Sequence, residues 1–124
     1  MPLYHINRIN GTTIADVESD TFGSALSIAV KQGTSLTDVN LAGADLIRAD
    51  LIRANLIDVN LTRANLTRAN LTDVNLTGAN LTDANLTRAN LTRANLIDAK
   101  LTDVNLTDVN LTDADLTDAK MPID

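Results

Sequence analysis

Charged side chains are the only reactive groups this chain offers in quantity, and they fall at fixed intervals. Asp38, Asp58, Asp98 and Asp118 are separated by multiples of twenty residues, and so are Arg48, Arg68 and Arg88. Carboxylates at such spacing could form acid–base pairs, and stacked guanidinium groups could hold an acidic partner. An acid–base pair needs a pocket that pushes one pKa away from the other. Residue type closes off other chemistries. The chain has no cysteine and one histidine, His5, which argues against zinc sites, His-cluster metal sites and His-based triads. It has no glycine-rich loop to cradle a phosphate. No catalytic residue, no metal and no cofactor is expected.

Positioning these charges falls to a chain of 124 residues with a net charge of −6, of which 44% are hydrophobic and 2% aromatic. Tyr4 and Phe22 are the two aromatic residues, so the core cannot rest on large rings. The acidic balance argues against direct nucleic-acid binding. No apolar run reaches the roughly 18 residues that span a bilayer, and no signal peptide opens the chain, so a cytoplasmic protein without a membrane contact is expected.

From Leu36 onward the chain has period five. Leucine stands at Leu36, Leu41, Leu46, Leu51, Leu56, Leu61, Leu66, Leu71, Leu76, Leu81, Leu86, Leu91, Leu96, Leu101, Leu106, Leu111 and Leu116. From Leu41 on, Ala or Val precedes each leucine by two positions. Five residues of α-helix turn about 500°, so successive leucines would spiral around a helix with no common face. A straight strand places Ala and Leu two apart on one side, but the next Leu, an odd step on, would flip outward. The pattern holds only if the chain turns once per repeat. Each unit is then a short extended Ala-Asn-Leu followed by a corner near Thr-Arg or Thr-Asp. Same-handed corners wind such units into a solenoid with Leu and Ala/Val inside.

Residues 36–120 resemble the pentapeptide-repeat family, whose consensus is A(D/N)LXX; Ala64-Asn65-Leu66-Thr67-Arg68 matches it closely. The resemblance implies an all-β solenoid, a right-handed quadrilateral β-helix with four repeats per coil. It would have about four coils and stand roughly 20 Å tall at strand spacing.

Residues 1–35 are expected to cap the N-terminal end, with a strand over Thr13–Glu18 and a helix from about Thr21 to Gln32. Asp20 or Thr21 suits the N-cap and Gly33 the position after the C-cap. Phe22, Leu26, Ala29 and Val30, with Ala25, share one helical face and form the cap core. Residues 121–124 form a short C-terminal tail in which Pro122 would blunt the strand edge. The resemblance implies that such an end can make a two-fold dimer, while its acidity opposes self-association. Monomer and C-terminal end-to-end homodimer both stay open.

With four repeats per coil, residues twenty apart stack into outward columns. Arg48, Arg68 and Arg88, flanked by Arg53 and Arg93, form a candidate partner-binding stripe; Arg stems covering Thr methyls on a solvated face are the plainer reading. Arg53, Asp73, Arg93 and Asp113 alternate in a way that suits charge pairing. The Asp38, Asp58, Asp98 and Asp118 column is expected to accept hydrogen bonds from corner amides. Residues 36–95 carry six Asp and six Arg, whereas 96–124 carry seven Asp and two Lys. The function expected is non-enzymatic: a structural or interaction module offering flat faces to a protein partner that the sequence does not identify. One alternative, implied by the resemblance, is a DNA-mimicking binder of type II topoisomerase, which calls for a longer and continuously acidic rod. Others are a consensus-like engineered scaffold with no native partner and, last, ice binding through Thr62, Thr82 and Thr102.

Overall fold

The computed structural model describes residues 1–121. The chain opens with β1 (Leu3–Asn7), β2 (Thr13–Glu18) and α1 (Phe22–Lys31). β2 and α1 lie where the sequence places them. β1 is an addition, and its single buried residue, Ile6, explains why no alternation betrays it. The two strands pair antiparallel with an irregularity between Ile6 and Asn7. Gly11, at φ +90°, helps the chain reverse between them.

Local chemistry sets both ends of α1. The Thr21 side chain accepts a hydrogen bond from Ser24 N at 3.0 Å, satisfying a first-turn amide. At the other end Thr34 N donates to Ala29 O at 3.0 Å and Gly33 N to Val30 O at 2.9 Å. With Gly33 at φ +84°, this is a Schellman ending. Leu26 and Ala29 of the expected cap core are buried, as is Ala25; Phe22 and Val30 are half-buried against it. The Tyr4 and Phe22 rings meet at 5.6 Å between centroids, so both aromatics sit in the cap.

Beyond α1 the chain is a solenoid in which parallel bridges join residues twenty apart, from Asn40–Asn60 to Lys100–Lys120. One repeat shows why five residues suffice. Leu61 N donates to Asn80 O at 2.8 Å, Arg63 N to Thr82 O at 2.9 Å, and Asn65 N to Ala44 O at 2.9 Å. Those bonds run to the neighbouring coils. Ala64 N closes the corner onto Leu61 O at 3.0 Å, and Thr62 N donates to Asn60 Oδ1 at 3.0 Å. Every amide of the repeat has a partner, which a buried backbone demands.

The leucine ladder is buried from Leu36 to Leu101, with at most 1% of any leucine exposed. Leu106, Leu111 and Leu116 are only half-buried. No coil among the described residues lies beyond them. The opposite end is covered. Gly23 packs α1 so closely that an added Cβ would lie 3.4 Å from Ala49 Cβ. Ser27 Oγ donates to Asp50 O at 2.7 Å, and the hairpin joins the first coil through Ile9 N to Asp38 O and Asn40 N to Asn7 O, both 2.7 Å. The expected strand-blunting role of Pro122 falls outside the described residues.

Candidate interaction surface

Each corner is a four-residue reversal, Leu, then Thr in most repeats and Ile or Ala in the others, then X, then Ala or Val, closed by a hydrogen bond from the fourth residue to the first. The third residue X has positive φ, while the second does not, which is the signature of a type II turn. Fifteen non-glycine residues occupy X at φ 56–62°, all Asp or Arg, and Gly43 and Gly78 fill two further corners. The backbone therefore fixes where every charged side chain leaves the solenoid. Asp tolerates this left-handed conformation better than most residues, and Arg has no such advantage.

The corner acceptor is not where the sequence suggested. Asp38, Asp58, Asp98 and Asp118 accept no corner amide among the described residues. That role belongs to the Asn or Asp just before each Leu: Asn75 Oδ1 takes Thr77 N at 3.1 Å, and Asp45 Oδ1 takes Ile47 N at 3.2 Å. The reason is geometric. A side-chain oxygen reaches the amide two residues ahead, as in an Asx turn, and the residue at X is already past it. Thr hydroxyls complete the staple, with Thr82 Oγ1 donating to Asn80 Oδ1 at 2.6 Å. The hydroxyl protons of Thr62 and Thr82 are thus spent on Asn60 and Asn80 rather than offered to solvent.

The five arginines of the candidate stripe divide into two groups. Arg93 makes two hydrogen bonds to Asp73 one coil away, Nε to Oδ1 at 2.7 Å and Nη2 to Oδ2 at 3.2 Å. The Arg93 guanidinium holds Asp73 below the usual aspartate range, and Arg93 is raised in turn. Arg88 lies 3.8 Å from Asp108. Arg48, Arg53 and Arg68 have no ion pair among the described residues. They are exposed on the first two coils, and Arg63, which the stripe left out, stands one corner before Arg68. Arg63 lies in a different column, which continues as Asp83 and Asp103.

The Asp column is relieved at one point. A Cβ added at Gly78 would run into Asp58 Oδ1, so Asp58 lies over the glycine in place of a second carboxylate. Asp115 is lowered by hydrogen bonds from the Thr117 hydroxyl and amide. The open grooves lie at the cap, where Arg48 faces Thr21, Ser24, Ser27 and Lys31. No cluster of His, Asp or Glu able to hold a metal exists among the described residues. No described helix is long and apolar enough to cross a membrane.

Comparison with known proteins places this geometry. No match was found among curated protein sequences. A pentapeptide repeat protein (Rfr23) from the cyanobacterium Cyanothece 51142 is 40% identical, with a TM-score of 0.69 over 71% of this chain and 60% of its own. HetL, a pentapeptide repeat protein from Nostoc sp. strain PCC 7120 involved in heterocyst differentiation regulation, is 43% identical, with a TM-score of 0.70 over 72% and 41%. A further pentapeptide repeat protein, alr5209 from Nostoc PCC 7120, is 31% identical, with a TM-score of 0.62 over 76% and 74%. This chain thus spans less than two thirds of the first two. The family model of pentapeptide repeats matches residues 34–73, 69–108 and 89–122. On the five-residue repeat, the coil-to-coil ladder and these matches together, the chain belongs to the pentapeptide repeats family.

Proposed function

We propose that this chain is a non-enzymatic interaction module, a right-handed four-sided coil of about four turns that binds a partner protein through a side face. The partner's contact surface carries carboxylates. The observation supporting this reading is the triad of Arg48, Arg53 and Arg68, which leave corners of fixed backbone without an ion pair among the described residues. Fixed attachment lowers the ordering cost of a guanidinium that must meet a carboxylate in one geometry. Arg88 and Arg93 belong to the scaffold instead, because their carboxylate partners lie on adjacent coils. A wall of charged side chains held at fixed corners suits a module that reads shape and charge.

The test is an affinity capture with three baits: the wild-type chain, an Arg48→Ser/Arg53→Ser/Arg68→Ser variant, and an Arg93→Ser control. A partner held by the wild type and the control but lost by the triple variant is the expected outcome. Equal capture by all three baits would remove the arginine face from the mechanism.

A further inference from the structure

An open trough runs between the start of α1 and the first coil. It consists of two adjoining hollows of about 480 and 320 Å³, and Thr21, Gly23 and Ile47 line both. Gly23 sets how closely the walls approach, since an added Cβ would lie 3.4 Å from Ala49 Cβ. Ser27 Oγ, donating to Asp50 O at 2.7 Å, ties the helix wall to the coil wall.

The sequence departs from its own pattern at this place. Residues 44–48 and 49–53 both read Ala-Asp-Leu-Ile-Arg, where most later repeats carry Asn-Leu-Thr. The two copies differ in what surrounds them. Asp50 has a cation of this chain, Lys31 Nζ, at 3.9 Å. Asp45 has none among the described residues, and neither has Asp20, which lines the same hollow. Ile52 is half-buried, whereas Ile47 is 47% exposed. Tyr4 and Phe22 also line the hollow of Asp20 and Asp45, with the Tyr4 hydroxyl donating to Asp20 O at 3.5 Å. Aromatic faces beside two carboxylates suit the stem and charge of a Lys or Arg side chain. In the other hollow Lys31 is engaged with Asp50, and Arg48 has no ion pair among the described residues. The trough thus runs from unmatched negative charge, over an exposed isoleucine, to unmatched positive charge.

We propose that this trough docks an extended segment of a partner protein, in which an apolar residue stands between a Lys or Arg on one side and an Asp or Glu on the other. Charge complementarity sets the order: the cation lies on Asp20 and Asp45, the apolar side chain on Ile47, and the carboxylate on Arg48. Alternate residues of an extended chain share a side at intervals of about 6–7 Å, so the three anchors stand two positions apart. The site shares Arg48 with the arginine face but does not rest on that reading, because Asp20, Asp45 and Ile47 lie outside the face.

The probe is a fluorescent peptide with the core Lys-Thr-Leu-Thr-Glu, titrated against the intact chain beside Glu-Thr-Leu-Thr-Glu and Lys-Thr-Ser-Thr-Glu. Saturable binding of the first is expected, roughly tenfold tighter than either of the others and weakened by salt. Backbone amide resonances should shift at Thr21, Gly23 and Ile47 and stay in place on the later coils. Asp45→Asn and Ile47→Thr each install the residue that most repeats carry at that position, so the corner is kept; each should weaken the peptide at least roughly fivefold. Neither variant touches Arg48, Arg53 or Arg68, so this site and the arginine face can fail independently. Four results would each overturn the proposal: equal binding of the three peptides, shifts confined to other surfaces, unchanged affinity in both variants, or no saturable binding up to about 1 mM. A dimer in sedimentation that Ile47→Thr abolishes would overturn it too, by giving the trough to a second copy.

Discussion

At the scale of single residues, the corner position dominates. Fifteen Asp and Arg residues sit in the left-handed region, where an L side chain costs about 1–2 kcal/mol relative to glycine. Glycine returns part of that through its greater freedom in the unfolded chain. Arg63→Gly is therefore expected to stabilise the fold by about 0.5–1 kcal/mol, and Gly43→Val to destabilise it by about 1–2 kcal/mol, read from urea midpoints. Equal and small effects from both would show that the corners carry no strain. The sequence hid this conformation because its residues there are charged rather than glycine, and charge reads as surface. It hid the Asn staple for a similar reason: Asn75 and Thr77 look like ordinary polar outside positions until Asn75 Oδ1 is seen to hold both the amide and the hydroxyl of Thr77.

At the scale of elements, the leucine ladder was legible because the odd spacing of five admits neither a helix face nor a straight strand. The same spacing makes inside and outside sharply unequal. Leu76 is fully buried between coils, whereas Thr77 lies on the outer wall. Leu76→Lys should unfold or open the solenoid, since an unpaired charge would replace a buried side chain worth about 1.5–3 kcal/mol. Thr77→Lys loses one staple hydrogen bond and should cost about 1 kcal/mol. Thermal melts of the two variants check the contrast, and equal loss would reverse the assignment of faces. α1 was legible from its apolar face, Thr21 and Gly33. β1 was not, because a strand that buries only Ile6 leaves no alternation to read.

At the scale of the whole molecule, the two ends are unlike. The first coil is tied to the hairpin and α1, while the last shares its ladder with one neighbour only among the described residues. In a solenoid each coil is stabilised chiefly by the coils it touches, so opening should start at the C-terminal end and travel inward. Native-state amide exchange should find Leu111 and Asp113 fastest, and Leu46 and Leu51 slowest. A reversed gradient would mean that the cap, not the ladder, is the weak point. The stack of like coils also separates two kinds of heredity. Gain or loss of twenty residues lengthens or shortens the rod and leaves each column in place. Gain or loss of a single repeat is different. The leucine floor is undisturbed, because any repeat presents the same inward pair, but every corner beyond the event moves to the adjacent wall. Loss of the repeat at 69–73 would bring Arg93 over Arg68 and strip it of Asp73. Replication slippage can thus redraw the charge map of such a protein in one step, leaving its architecture as it was.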